Sequence, residues 1–145
     1  MPKIYTSSVI ESPIQRIWNY IRDFNSLPQW FPGVTDSKIE SGLSSGEVGC
    51  IRDFGLDGGA RMREQLLALS DQSFSCTYKM IEGPLPVSNY FATVRLLPIT
   101  DGNRTFAEYL VEFDCASEQE TALKTLLSKT YQGAFDNLKQ HLHQP

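Results

Sequence analysis

The chain opens on a two-residue alternation: residues 3–11 (KIYTSSVIE) place β-branched residues at alternating positions and predict a strand. The period then lengthens. Ile14, Ile17, Trp18 and Ile21 recur at helical spacing behind Ser12 and Pro13. This predicts a helix capped by Ser12, with Pro13 at its first position, where a missing N–H costs nothing. Past Asp23-Phe24-Asn25 the helical spacing breaks, and Leu27, Trp30 and Phe31 crowd beside Pro28, Pro32 and Gly33. An ordinary surface loop carries less apolar surface, so residues 12–33 read as a lid that covers something or is itself covered.

Six strand candidates follow: VTDSKIES from Val34, EVGCIRDFGL from Glu47, GARMREQLLALS from Gly59, FSCTYKMIE from Phe74, SNYFATVRLLP from Ser88 and RTFAEYLVEFD from Arg104. Turn signals (GLSSGE, LDGG, SDQS, GPLP, TDGN) separate them, which predicts an antiparallel meander. Helical propensity competes across residues 65–69, but the flanking turns leave room only for a strand. At the end, Ser117 and Glu120 predict a capping box ahead of Leu123, Leu126, Leu127, Tyr131, Ala134, Phe135, Leu138 and Leu142. These form one apolar stripe on a helix of roughly 25 residues, or ~37 Å, long enough to lie along a whole sheet. Gly133 interrupts the stripe and allows close packing or a bend. The order belongs to the α+β class: a curved seven-stranded antiparallel sheet wrapped around a long C-terminal helix, with two short helices after the first strand. Such a sheet leaves a gap over its helix. With no repeat or linker, residues 1–145 are expected to form one domain.

Composition narrows the function. A length of 145 residues with 41% hydrophobic content suits a single domain. The net charge of -4, with both signs interspersed, argues against a nucleic-acid surface. The N-terminus has no apolar leader pattern and no stretch approaches the ~20 apolar residues of a bilayer span, so the expected protein is cytoplasmic, a monomer or weak homodimer. Cys50, Cys76 and Cys115 are odd in number and widely spaced, which suits reduced thiols rather than disulfides or zinc. His141 and His143 near the C-terminus do not make a metal pair, and no nucleotide, hydrolase or redox signature is present. No metal and no cofactor is expected.

The run I-x-S-P-x-x-x-I-W-x-x-I-x-D-F at residues 10–24, followed by VGCIRDF (48–54), RMREQLLALSD (61–71) and EGPLPVSNYFATV (82–94), resembles the START-like, Bet v 1-like superfamily of helix-grip proteins. Within it the chain looks like the bacterial polyketide cyclase/dehydrase-like group and, more distantly, the plant abscisic-acid receptors and lachrymatory-factor synthase. The resemblance implies an internal cavity for lipids or other apolar ligands, with Leu56 to Gly59 as a gate and Gly83 to Val87 as a latch. The gate is shorter than in the receptors by about three residues, and the latch is uncharged. Thr35 stands where the receptors carry a carboxylate-anchoring lysine, which argues against hormone reception of the plant kind.

Alternation places Arg52, Phe54 and Leu56 on one face of their strand, and Met62, Glu64 and Leu66 on one face of the next, so Arg52 and Glu64 are expected side by side. In lachrymatory-factor synthase an arginine and a glutamate at similar positions carry the reaction. Here a guanidinium would fix a polar head or an oxyanion while a desolvated carboxylate moves a proton. Alternatively the two satisfy each other and only shape the pocket. The register of the resembling proteins adds Tyr78, Met80, Tyr90, Ala92, Val94, Glu108 and Leu110 to the expected wall. From the long helix, Leu126, Thr130, Tyr131 and Ala134 are expected to face the ligand. Trp30 and Phe31 are either core residues or the rim.

Three functions fit. One is binding of a small hydrophobic or amphipathic molecule. Another is a cofactor-free cyclase, dehydratase or isomerase, with Glu64 as acid/base and Arg52 as electrostatic stabiliser. The last is a partner-binding module with a closed cavity too small for a ligand.

Overall fold

Alternation between apolar and polar side chains shapes the sheet. In the computed structural model, which describes residues 1–143, β1 (Lys3–Ile10) leads into α1 (Ile14–Ile21) and α2 (Leu27–Trp30). Strands β2 (Val34–Ile39), β3 (Ile51–Leu56), β4 (Arg61–Ser70), β5 (Ser75–Glu82), β6 (Ser88–Ile99) and β7 (Arg104–Asp114) then run as a meander before α3 (Glu120–His143). The first strand returns to pair with the last, so the antiparallel sheet has the order β1-β7-β6-β5-β4-β3-β2. Register shifts in the β2/β3, β4/β5 and β6/β7 ladders add local twist to the curved sheet.

The inner face is built from alternate residues: Met62, Glu64 and Leu66 on β4, Cys76 and Tyr78 on β5, Tyr90, Ala92, Val94 and Leu96 on β6. On β7 the buried set is Thr105, Ala107, Tyr109, Val111 and Phe113. Glu108 and Leu110 therefore lie one position out of the expected phase, on the outer face. Glu108 there accepts hydrogen bonds from Tyr5 and Arg95, and Leu110 is 41% exposed. The strand's own chemistry explains this, because its other phase holds two glutamates that an apolar interior would have to desolvate.

The apolar stripe of α3 lies against this face, burying Leu123, Leu127, Tyr131, Ala134, Phe135, Leu138 and Leu142. Phe135 and Tyr131 pack on Tyr109 with ring centroids 5.3 and 4.5 Å apart. Gly133 serves close packing, since a Cβ there would sit 3.3 Å from Pro32 at the end of the lid. Ile17, Trp18 and Ile21 of α1 are buried as the spacing predicts.

Neither expected cap forms. Pro13 occupies the N-cap of α1 in an extended conformation, and the Ser12 hydroxyl is buried without a partner while its carbonyl accepts from Thr105. A 3-10 turn (Ser117–Gln119) precedes α3, and the Ser117 hydroxyl turns to Glu118 rather than to the amide three residues on. Among the described residues no helix is long and apolar enough to cross a membrane.

Candidate ligand-binding cavity

Between α3, the inner sheet face and the lid lies a cavity of about 200 Å³. Each wall comes from a separate element. The segment around α2 contributes Leu27, Phe31 and Pro32, the end of β3 contributes Leu56, and the β5–β6 turn contributes Pro84 and Leu85. Helix α3 supplies Leu126, Leu127, Thr130 and Tyr131. Leu126 is 49% exposed although it belongs to the apolar stripe, and it sits at the opening beside exposed Pro84. A backbone bond from Asp57 N–H to the Gly33 carbonyl (2.9 Å) ties the β3–β4 turn to the segment after α2.

The polar end is set by strand register. Arg52 on β3 pairs directly with Glu64 on β4, both facing inward and both nearly fully buried. Arg52 donates from Nε (2.9 Å) and Nη2 (2.7 Å) to the same oxygen, Glu64 Oε1, and from Nη1 to the Phe24 carbonyl (3.3 Å). Its guanidinium lies 3.8 Å from the centre of the Phe24 ring and 4.5 Å from that of Tyr78, two rings that adjoin each other with centroids 5.9 Å apart. No described residue donates to Glu64 Oε2, and that oxygen is not among the sealed, unpaired atoms, so it reaches open space.

Burial pushes the Glu64 carboxyl up from its ordinary range, and the Arg52 guanidinium pulls it back. A neutral Glu64 would leave Arg52 buried without a counter-ion, which is costlier than the pair, so the pair is ionic. Beside it, Tyr131 is the hub of a hydroxyl chain, bonded to Tyr90 and, at 3.3 Å, to Tyr78. Burial holds all three phenols well above their usual range, and they remain neutral hydrogen-bonding groups. The Cys76 thiol, pushed up to about 12 by burial, is no nucleophile at neutral pH.

Of the residues singled out in the sequence, Arg52, Phe54, Leu56, Met62, Glu64, Tyr78, Tyr90, Leu126, Thr130 and Tyr131 share this cavity. Trp30, Met80, Ala92 and Ala134 do not line it. Trp30 is buried under the lid, where its indole N–H donates to Ser26 Oγ, so it serves as core while its neighbour Phe31 takes the wall. Ala92 and Ala134 are buried in the core, too short to reach the space. Met80 lies in a neighbouring depression with Leu85 and Val87. Glu108 and Leu110 are on the outer face, as described. Thr35 is exposed and bonded to Asp36, so nothing cationic enters from that position.

Sequence reasoning did not place Leu27, Pro32 or Leu127 in the wall, nor Phe24 over the arginine. Phe24 was visible as the last residue of the first motif, but nothing in one sequence says which cation a ring will cover.

The model of the family described as "Polyketide cyclase / dehydrase and lipid transport" matches residues 1–143. Among curated proteins no sequence matches. Solved structures with the same fold include the protein XoxI from Bacillus cereus, 27% identical, with a TM-score of 0.87 over 97% of this chain and 94% of that one. An uncharacterised protein from Bacillus thuringiensis is 26% identical, with a TM-score of 0.84 over 96% of this chain and 97% of its own. Norcoclaurine synthase from Thalictrum flavum, a point mutant in complex with a transition-state analogue, shares the fold at 19% identity, with a TM-score of 0.74 over 96% of this chain and 92% of that one. With its helix-grip architecture of seven strands around one long helix and a match over essentially its whole length, the chain belongs to the polyketide cyclase/dehydrase and lipid transport family.

Proposed function

We propose that this domain binds a small hydrophobic or amphipathic molecule in the cavity under its lid. One observation carries the reading: a wall that is mostly apolar ends in an ion pair and three tyrosine hydroxyls, the composition of a small-molecule site. The ligand's apolar body meets Phe54, Met62 and Leu126, and its polar end meets Glu64 and the tyrosines. The family's description, which pairs lipid transport with cyclase and dehydrase chemistry, supports the same reading. A cavity of about 200 Å³ also speaks against a partner-binding module with a closed interior.

A second reading has its own observation. Glu64 is buried, has one oxygen open to the cavity, and is shifted toward holding a proton, which suits general acid/base work in a cofactor-free cyclase, dehydratase or isomerase. Arg52 then acts as the electrostatic stabiliser mainly through Glu64, because its charge is matched there.

Native mass spectrometry of protein purified from its own host tests the binding reading. A co-purifying small molecule that leaves on denaturation is the expected result, and an empty protein under several growth conditions counts against it. Once that molecule is known, Glu64→Gln separates the two readings: an enzyme loses turnover even at saturating ligand, whereas a binding protein has no turnover to lose and changes only in affinity.

A further inference from the structure

We infer that the cavity selects a neutral, hydroxyl-headed molecule of about one ring and rejects the matching carboxylate. This rests on the ligand-binding reading above and names the class of ligand.

Size gives the first limit. An apolar cavity of roughly 150 Å³ holds benzene, so about 200 Å³ accepts one ring with a substituent or two. The aromatic residues Phe31, Phe54 and Tyr78 in the wall suit such a body.

Charge gives the second. Arg52 and Glu64 form an ion pair whose net charge is zero, with the rings of Phe24 and Tyr78 packed against the guanidinium. A ligand carboxylate would enter as a third, unmatched charge beside the open oxygen of Glu64, and the low-dielectric site offers it no further cation. Among the described residues the remaining polar groups of the cavity, Tyr78, Tyr90, Tyr131 and Thr130, are all uncharged hydroxyls.

Hydrogen-bond balance gives the third. Glu64 Oε2 is an acceptor lacking a protein donor, and two of the five Arg52 N–H groups, one on each Nη, have no described acceptor. The tyrosine chain has three O–H protons but only two internal bonds, Tyr78–Tyr131 and Tyr90–Tyr131, so one proton is left over. Extending the chain to another hydroxyl adds one donor for each bond and leaves the same surplus. An alcohol or phenol answers these needs together, donating to the carboxylate and accepting from a tyrosine or from a spare Arg52 N–H. A ketone or ester only accepts, and would leave Oε2 unmatched.

The test uses the intact protein at about pH 7.5 and three probes of one shape: para-cresol, toluene and para-toluate, titrated by calorimetry and by protein-observed NMR. A hydrogen bond to an ionised group predicts that para-cresol binds roughly tenfold tighter than toluene, with para-toluate weaker than both. Para-toluate binding as tightly as para-cresol, or toluene equalling para-cresol, overturns the head-group inference while leaving the cavity as a binding site. Failure of all three probes to bind overturns the ligand-binding reading itself, and this inference with it. In Glu64→Gln the arginine loses its counter-ion, so the preference should reverse toward para-toluate; a preserved preference for para-cresol also overturns the inference. The three probes on the unaltered protein decide the matter even if that variant folds poorly.

Discussion

Strands β3 and β4 carry arginine–carboxylate pairs on both of their faces, at nearly identical distances and with opposite consequences. Inside, Arg52 and Glu64 meet at 2.7 Å with side chains only 5% exposed. Outside, Arg61 reaches Asp36 and Asp53 at 2.9 Å each, and Arg63 reaches Glu40 at 2.7 Å and Glu82 at 3.3 Å. The outer set has more partners and good geometry. Water nevertheless screens it, and long side chains lose freedom to hold it. The inner pair lacks that screening, so each charge depends on its partner, and a ligand entering the cavity meets whatever the pair leaves unmatched. Surroundings, rather than bond count or distance, decide which pair matters to folding and to function.

The comparison breaks most visibly at Arg52. Arg52→Ala leaves Glu64 buried without its counter-charge and removes the cation packed against Phe24 and Tyr78. The expected loss is about 3–5 kcal/mol, readable as a fall in Tm on the order of 10 °C. Arg52→Met combined with Glu64→Leu should recover most of it, because two apolar residues replace a pair that had to be desolvated. A single variant as stable as the unaltered protein would show that the inner pair behaves like a surface one.

A smaller effect is expected within the same polar end. Tyr131→Phe removes the hub hydroxyl, leaving those of Tyr78 and Tyr90 to face the cavity. The expected cost is about 1 kcal/mol, with tighter retention of water or of a hydroxyl ligand at the vacated end. Chemical denaturation measures the first and probe titration the second. An unchanged affinity for para-cresol would place the ligand's polar end away from the tyrosines.

Much of this architecture was legible in the sequence because two-residue and helical periods are strong local signals. Every strand, the lid break after Phe24 and the stripe of α3 follow from them. So does the adjacency of Arg52 and Glu64, which needed only alternation on two neighbouring strands. What failed depended on finer geometry. Glu108 and Leu110 were placed inside by a register borrowed from similar proteins, although the strand's own phase, with Tyr109, Val111 and Phe113 on one face, already opposed it. Ser12 and Ser117 look like caps in sequence, yet Pro13 and a 3-10 turn occupy the positions where capping would occur. Trp30 and Phe31 are adjacent and both aromatic. Only the bond to Ser26 shows which of them turns into the core.

An exposed pair attached to a buried group tests the rule between its extremes. Asp71 binds Arg22 at the surface and also accepts from the indole of Trp18, which is buried against Phe74. Its carboxyl is held below the ordinary value of 3.8, first by Arg22 and then by Trp18. A lowered native value means that the native state binds fewer protons than the unfolded one. The stabilisation is therefore complete above the unfolded value and is lost as pH falls through the native one. Asp71→Asn should lower Tm by less than Tyr131→Phe at neutral pH, and the gap from the unaltered protein should close below about pH 4 as that protein's own carboxylate is protonated. Melting curves across that range check it. A gap that stays constant to the lowest pH would show that the charge of Asp71 does not carry the contribution.

The smallest effect is expected on the outer face itself. Arg61→Ala removes bonds to both Asp36 and Asp53, yet those carboxylates stand in water and reacquire solvent donors when the arginine is lost. Both acids are left near Lys38 and Arg63 on the same surface, so the change in local charge is partly offset. The shift in Tm should be the least of the four. It should shrink further as salt rises from about 50 to about 500 mM, because the Debye length falls from roughly 14 Å to roughly 4 Å and the pair is progressively screened. Arg52→Ala under the same salt series should keep its full effect, since both side chains of the inner pair are only 5% exposed. Similar salt responses from the two variants would mean that solvent ions screen the inner pair in spite of its burial.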